Sequence, residues 1–158
     1  MTNFISTSVE STKELGYKFA SKLKKGDVIV LNGDLGSGKT IFVSGFLSFY
    51  DKENEASSPT FTIVNEHNLT KDLNLYHFDV YRLESSDEFL AIGGDEYFSQ
   101  GITLMEWGEK IKELLPKEYL EINIYKNDDD INYRNFVFTP RGAKYENLIK
   151  EVLAQWRF

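Results

Sequence analysis

The chain has 158 residues, 41% hydrophobic and 15% aromatic, with 18 basic and 25 acidic side chains and a formal net charge of −7. This length and composition disfavour intrinsic disorder and are sufficient for one domain with a hydrophobic core, so we predict a single domain over residues 1–158. The negative charge disfavours unaided nucleic-acid binding, and the absence of cysteine excludes disulfides, thiol catalysis and thiolate metal sites.

The first half of the chain alternates strand-like and helix-like segments. Phe4–Ser6 is predicted to be an edge strand, and Ser11 and Glu14 have the spacing of a capping box, which predicts a helix after them. Val28–Leu31 is a continuous aliphatic run, which is typical of a central strand covered on both faces. Phenylalanines at helical spacing predict the next helix over Lys39–Phe49.

The second half is richer in hairpins. We predict a first hairpin, with strands over Phe61–Glu66 and Leu75–Tyr81 joined by a turn over Asn68–Asn74. After it we predict a short helix from Ser86 that Gly93 or Gly94 closes, a strand over Ile102–Met105 and a helix over Glu109–Leu115. The last predicted elements are a second hairpin, of Tyr119–Tyr125 and Tyr133–Phe138, and a helix over Ala143–Trp156. This order predicts a three-layer α/β fold with a mixed sheet. Asp128–Asp130 is interpreted as a solvated turn rather than a metal site.

No run of about 18 apolar residues occurs in the sequence, and its first residues do not have the basic and apolar segments of a secretory signal. We therefore expect a cytoplasmic protein without membrane partners.

The segment GDLGSGKT, Gly33–Thr40, matches the phosphate-binding pattern G-x-x-x-x-G-K-[ST], with a predicted strand before it and a predicted helix after it. In such a loop, backbone N–H groups converge on phosphate oxygens at the positive end of the helix. Lys39 would contact the outer phosphates, and Thr40 would offer its hydroxyl to Mg²⁺. We predict nucleotide contacts from the whole loop, namely Gly33, Asp34, Leu35, Gly36, Ser37, Gly38, Lys39 and Thr40. A turn that only caps the helix is the disfavoured alternative.

Two acidic residues follow predicted strands directly, Asp79 after Leu75–Phe78 and Glu106 after Ile102–Met105. Because ligands of α/β sheets collect at the carboxyl ends of the strands, either carboxylate could anchor the metal. The alternative for each is a carboxylate that caps a nearby helix or pairs with Arg82.

Ser57–Thr60 is rich in hydroxyl groups and lies where a switch segment would reach the γ-phosphate, although its composition also fits an ordinary polar connection. His67 and His77 have no neighbouring cluster of metal ligands, so we expect no metal site from them and interpret His77 as a strand histidine with satisfied hydrogen bonds.

Four segments in this order resemble the TsaE family, also called YjeE, which comprises small bacterial P-loop ATPases required for threonylcarbamoyladenosine in tRNA. The segments are GDLGSGKT at Gly33–Thr40, SPTFTIVNEH at Ser58–His67, YHFDVYRL at Tyr76–Leu83 and LMEWGEK at Leu104–Lys110. The resemblance covers nearly the full length of the chain. It implies a P-loop NTPase-like fold that binds ATP.

The resemblance also implies roles for individual residues. Mg²⁺ would be held by Thr40 and Glu106, with Asp79 as a further essential acid near the γ-phosphate and the metal. Lys39, Asp79 and Glu106 would be the catalytic residues. Further nucleotide contacts would come from Ser58, Thr60, Trp107 and Arg134.

The implied partners are a TsaD-like transferase subunit and a TsaB-like companion, which would hold the tRNA that this acidic chain cannot attract. No arginine lies in an obvious finger loop, so we predict slow ATP hydrolysis alone and faster hydrolysis with partners. Two alternatives remain: a small P-loop nucleotide or nucleoside kinase, and a non-catalytic ATP-dependent adaptor. The kinase is disfavoured because no arginine-bearing lid is evident, and a GTPase because no N-K-x-D motif occurs.

Overall fold

A computed structural model describes residues 2–34, 36–51 and 63–154 of the chain. In chain order, these residues form β1 (Thr2–Ser6), α1 (Val9–Ala20), β2 (Val28–Asn32), α2 (Lys39–Ser48), β3 (Val64–Thr70), β4 (Leu73–Asp79), α3 (Ser86–Ala91), a 3-10 helix (Gly94–Ser99), β5 (Ile102–Glu106), a second 3-10 helix (Gly108–Leu114), β6 (Tyr119–Asn127), β7 (Asp130–Arg141) and α4 (Ala143–Ala154).

The strands form one seven-stranded sheet in the order β1-β7-β6-β2-β5-β4-β3. The four consecutive strands β6, β2, β5 and β4 are mutually parallel, whereas β3 and β7 run antiparallel to their neighbours and β1 runs antiparallel to β7. The predicted mixed sheet is therefore confirmed, with β1 at an edge and β2 at the centre.

Both faces of β2 are buried, as its unbroken aliphatic sequence predicts. Ile29 and Leu31 belong to a core that includes Phe19 of α1 and Phe42 of α2. Val28 and its same-face neighbours pack on the other side of the sheet. This second side is completed by α3 and the 3-10 helices, whose side chains pack on β4 and β5. The predicted three layers are thus present.

The helices α1 and α2 approach each other closely enough for backbone contact. A Cβ atom on Gly16 would lie 2.1 Å from the carbonyl oxygen of Phe42, and a Cβ on Gly45 would lie 2.1 Å from that of Lys13. Since no side chain larger than hydrogen fits at either position, the two glycines fix α2 against α1. This packing sets the direction in which α2 leaves the phosphate-type loop.

Several predicted boundaries were wrong. The cap of α1 is Ser8 rather than Ser11: the Ser8 side chain accepts a hydrogen bond from the Ser11 backbone N–H at 3.0 Å, so the helix begins earlier. The predicted turn over residues 68–74 was too long, because Asn68 and Asn74 pair within the β3–β4 ladder. Asp130 belongs to β7 and pairs with Asn127 rather than lying in the turn.

The helix predicted over residues 109–115 is a 3-10 helix, interrupted at Ile111 by non-helical dihedrals of φ −123° and ψ 31°. Its start is displaced because Trp107 has a left-handed backbone, with φ 64°. Phe61, the first residue of one predicted strand, and Trp156, the last residue of the predicted final helix, lie outside the described residues. Within the described parts of the chain, no helix combines the length and the apolar character needed to span a membrane.

Candidate functional site

The loop between β2 and α2 follows a path that only glycine allows at several positions. Gly36 and Gly38 have φ values of 78° and 107°, in the left-handed region that other residues rarely adopt. A Cβ on Gly33 would lie 2.6 Å from the Ser37 side-chain oxygen and 3.0 Å from the Ile124 carbonyl oxygen. The glycine spacing of the motif therefore corresponds to a tight loop in the structure.

The N-terminus of α2 is available for a ligand. Gly38 is its N-cap and supplies no side-chain hydrogen bond, and the first backbone N–H groups of any α-helix have no partner within the helix. The positive end of the helix dipole lies at this same terminus and would attract a negatively charged ligand. This terminus opens on a pocket of about 500 Å³, lined by Asp34, Gly36, Gly38, Lys39, Thr40, Ile41, Asp79, Tyr81, Glu106 and Trp107.

The two predicted acids meet at this pocket. β2, β5 and β4 run parallel, so their carboxyl ends lie at one edge of the sheet; Glu106 pairs with Leu31 on one side and with Asp79 on the other. Both acids are almost completely buried. Asp79 accepts a hydrogen bond from the Tyr81 backbone N–H at 2.9 Å. The structure therefore brings together the lysine and the acids that are far apart in the sequence.

Lys39 connects the loop with the acids. Its Nζ donates to the Gly33 carbonyl oxygen at 2.6 Å and lies 3.6 Å from Glu106 Oε1. The same ammonium lies 4.5 Å from the centre of the Trp107 ring, which gives it a cation–π contact. Gly33, Glu106 and Trp107 thus hold the positively charged Lys39 ammonium at the N-terminus of α2, where the charge of a bound phosphate would have to be neutralised.

His77 contacts the other oxygen of Glu106, a contact that the sequence reasoning did not identify. The side chain is fully buried in β4, as expected of a strand histidine, and its Nε2 lies 2.7 Å from Glu106 Oε2. The prediction of satisfied hydrogen bonds holds for Nε2 only, since the buried Nδ1 has no partner in the described part of the chain. The spacing of His77 and Asp79 could have indicated that they share one face of the strand.

Two aromatic residues form one wall of the pocket. Trp107 adopts the left-handed conformation and donates its backbone N–H to the Leu31 carbonyl oxygen at 3.2 Å. Its ring packs on that of Tyr81 with 5.1 Å between the centroids. Tyr81, which was not predicted to be a site residue, lines the pocket and is 53% exposed. A non-glycine residue in this conformation costs about 1–3 kcal/mol, so the surrounding contacts must hold Trp107 in place.

Arg134 reaches the phosphate-type loop from β7. Its Nη2 donates to the Gly36 carbonyl oxygen at 3.1 Å, and its Nη1 donates to the Ile131 carbonyl oxygen at 2.7 Å. It does not line the pocket itself. Three further predicted site residues, Leu35, Ser58 and Thr60, lie outside the described residues.

The oxygen atoms around the pocket have the chemistry that Mg²⁺ prefers. Thr40, Asp79 and Glu106 all line it. Within residues 2–34, 36–51 and 63–154, no group of three or more His, Cys, Asp or Glu side chains could hold a metal ion by itself. Mg²⁺ commonly needs only one or two carboxylates, because nucleotide phosphates and water supply its other ligands. The residues present therefore fit a metal ion that binds together with a nucleotide.

A central parallel strand, a glycine loop and a helix that opens on a pocket with lysine and strand-end carboxylates define a P-loop protein of the α/β class. The family model described as "Threonylcarbamoyl adenosine biosynthesis protein TsaE" matches residues 6–136. The chain belongs to the TsaE family, as the sequence resemblance indicated.

Individual relatives agree with this membership. The chain is 45% identical over 144 residues to the tRNA threonylcarbamoyladenosine biosynthesis protein TsaE of Bacillus subtilis strain 168, covering 90% of this chain and 88% of the relative. It is 41% identical over 127 residues to the protein of that name from Rickettsia bellii, covering 80% and 88% respectively. The crystal structure of YdiB from Bacillus subtilis is similar, with a TM-score of 0.77 and 36% identity over 99% of this chain and 96% of that one.

Proposed function

We propose that this protein binds ATP with Mg²⁺ in the pocket at the N-terminus of α2, hydrolyses it, and thereby serves the threonylcarbamoyl modification of tRNA. The observation that carries the proposal is the position of Lys39, with its Nζ between the loop carbonyl of Gly33 and the Glu106 carboxylate. A lysine and a strand-end acid at the open end of a P-loop helix are the groups that P-loop ATPases use on phosphates and metal.

In this proposal the nucleotide phosphates lie against the first turn of α2. The N–H groups of that turn and the Lys39 ammonium neutralise phosphate charge, and Lys39 exchanges its hydrogen bond to Gly33 for one to a phosphate oxygen. Thr40, Glu106 and Asp79 would hold Mg²⁺, which supplies charge withdrawal from the phosphates when it is bound. Asp79, which lines the pocket at the end of β4, would also orient an attacking water through its carboxylate.

Hydrolysis is expected to be slow for the protein alone. None of the described residues that line the pocket is an arginine, and Arg134 is engaged with the carbonyl of Gly36. A cation that reaches the γ-phosphate can raise the hydrolysis rate of P-loop proteins by several orders of magnitude. We propose that a TsaD-like transferase subunit and a TsaB-like companion complete the site.

The tRNA would bind to those partners rather than to this chain. A protein with a formal charge of −7 repels a polyanion over long distances, so it gains little from direct contact with RNA. Nucleotide binding would favour assembly of the complex, and hydrolysis would release it. The acidic composition is consistent with such an accessory role.

The test is phosphate release from ATP, measured for the protein alone and after successive addition of the transferase, its companion and tRNA. We expect a slow Mg²⁺-dependent rate that rises when the partners are present. Asp79→Asn and Glu106→Gln should retain nucleotide binding and lose turnover. If both variants hydrolyse ATP at the wild-type rate in the complete system, the catalytic assignment is wrong.

The same assay separates the alternatives. ATP binding that promotes assembly without phosphate release, even with all partners present, would establish a non-catalytic adaptor. Transfer of the γ-phosphate to a nucleotide or nucleoside instead of water would establish a kinase.

A further inference from the structure

One buried side chain at the site has no role in the function proposed above. His77 lies in β4 with its ring completely buried, and its Nε2 contacts Glu106 Oε2 at 2.7 Å. We propose that His77 is a positioning residue, which fixes the Glu106 carboxylate in the orientation needed to hold Mg²⁺. This inference rests on the proposed function and assigns to His77 a part in it.

The register of the sheet places the two side chains together. Asp79 pairs with Glu106, and His77 pairs with Leu104, two residues earlier on both strands. Residues two apart on a strand point to the same face, so His77 and Glu106 are diagonal neighbours on the face that α2 covers. Long side chains reach across such a diagonal, which is how the ring nitrogen comes within hydrogen-bond distance of the carboxylate.

The two neighbours of Glu106 hold it differently. The distance from Lys39 Nζ to Oε1 is 3.6 Å, which is an ion pair but longer than a hydrogen bond, whereas the 2.7 Å contact of His77 is within hydrogen-bond range. A hydrogen bond fixes direction as well as distance. His77 is therefore the contact that determines how the carboxylate is turned.

The functions of these two neighbours separate when a nucleotide binds. Lys39 is expected to turn toward the phosphates, which lengthens or breaks its ion pair with Glu106. Within the described residues, His77 is then the remaining side chain that holds the carboxylate. Without it, a buried carboxylate would keep its charge but lose its fixed orientation, and metal coordination depends on that orientation.

The proposed role makes His77 the donor in this contact. A carboxylate that binds a metal ion can only accept hydrogen bonds, so the role assigns a proton to His77 Nε2. The other nitrogen, Nδ1, is buried and has no hydrogen-bond partner in the described part of the chain. A buried polar atom without a partner costs stability, and a leucine of similar size would avoid that cost. The histidine is thus better explained by its contact with Glu106 than by packing.

The test uses two substitutions at one position. His77→Leu fills the space but removes the donor, whereas the amide nitrogen of glutamine in His77→Gln can take the place of Nε2. ATP binding is titrated calorimetrically with and without Mg²⁺. We expect His77→Leu to weaken the Mg²⁺ dependence of binding by about tenfold or more, the usual cost of removing a group that orients a metal ligand, and His77→Gln to recover most of it. Binding without Mg²⁺ should change little in either variant.

His67 provides a matched control. It is a half-buried histidine on the adjacent strand β3, opposite Leu75, and is not among the contacts of Glu106. His67→Leu should leave the Mg²⁺ dependence unchanged. If His77→Leu retains the wild-type Mg²⁺ dependence, or if His67→Leu reduces it equally, the positioning role is wrong.

A second measurement does not depend on a variant that folds. Long-range ¹H–¹⁵N correlation spectra of the nucleotide-free protein report which ring nitrogen of His77 carries the proton. A proton on Nε2 in the wild-type protein supports the inference, and a neutral ring protonated only at Nδ1 overturns it. If wild-type protein binds ATP without any effect of Mg²⁺, the metal-dependent function fails together with this role, whereas normal Mg²⁺ dependence in His77→Leu overturns only the role of His77.

Discussion

Replacing Glu106 by glutamine should separate nucleotide binding from metal binding. In the nucleotide-free protein, Glu106 Oε1 lies 3.6 Å from Lys39 Nζ, and both side chains are less than a tenth exposed. The ion pair holds Lys39 back from an incoming phosphate, and the carboxylate itself repels phosphate charge. Glutamine removes both effects while keeping the size of the side chain. We therefore expect Glu106→Gln to bind Mg²⁺-free ATP more tightly than the wild type does.

The size of the effect follows from the distance. At 3.6 Å and an effective dielectric constant of about 20, the attraction between unit charges is about 4 to 5 kcal/mol, most of which is offset by the desolvation of both groups. A net difference of about 1 to 2 kcal/mol remains, which corresponds to about 5- to 30-fold tighter binding. With Mg²⁺ present the order should reverse, because the variant lacks the carboxylate that is proposed to bind the metal.

The assay is a titration of ATP in the presence of EDTA and again in excess Mg²⁺, for wild type and variant in parallel. Glu121→Gln is a suitable control, because Glu121 lies on β6 near Arg141 and away from the pocket. Weaker binding of Mg²⁺-free ATP by Glu106→Gln than by wild type would refute the reasoning. The reasoning would also be refuted if Glu121→Gln tightened the binding of Mg²⁺-free ATP as much as Glu106→Gln does.

Three further outcomes are expected. Lys39→Ala should reduce ATP affinity by about 100-fold or more in calorimetry, because it removes the charge-assisted hydrogen bond that the Lys39 ammonium is proposed to make to a phosphate oxygen. Gly16→Ala should lower the free energy of unfolding in urea by about 1–3 kcal/mol or more, since its Cβ would lie 2.1 Å from the Phe42 carbonyl oxygen. Burial raises the pKa of Tyr145 from its ordinary value of 10.0 to about 12, so unfolding of the protein at a pH between these values releases a proton from this side chain. The contribution of Tyr145 to the free energy of unfolding is complete below pH 10 and is lost as the pH rises to about 12. The unfolding free energy of the wild type should therefore fall by about 2–3 kcal/mol over this range relative to that of Tyr145→Phe.

Each of these has a decisive counter-result. Wild-type affinity in Lys39→Ala would contradict the assignment of the loop, and an unchanged urea midpoint in Gly16→Ala would contradict the close approach of α1 and α2. For Tyr145, the difference in unfolding free energy between wild type and Tyr145→Phe must change between pH 10 and pH 12. A constant difference would show that the hydroxyl titrates normally.

The central part of the site could be predicted from the sequence because each step follows from local chemistry. The aliphatic run of β2 predicts a buried strand, the motif predicts the loop and α2, and parallel strands necessarily bring Asp79 and Glu106 to the same edge. These inferences need only the direction of the strands, not their exact register.

What depends on register or on side-chain reach could not be predicted. The contact of His77 with Glu106 requires the alignment of β4 with β5, and the contact of Arg134 with Gly36 depends on how far the arginine side chain reaches from β7 to the loop. The cap of α1 was misplaced because Ser8 and Ser11 are both competent N-caps, and the sequence does not show which hydroxyl is free to accept. The 3-10 helix after Trp107 depends on a backbone conformation that tryptophan rarely adopts.

The parallel arrangement of β2, β4 and β5 also constrains the order of events during folding. Lys39, Asp79 and Glu106 belong to separate chain segments, and they converge only when the non-local strand pairs of the inner sheet have formed. Such pairs close long loops and are slow to form. With the proposed nucleotide site, a refolding chain should acquire nucleotide affinity in its last phase, after its helices have formed. The time course of nucleotide binding would then report when the sheet is complete.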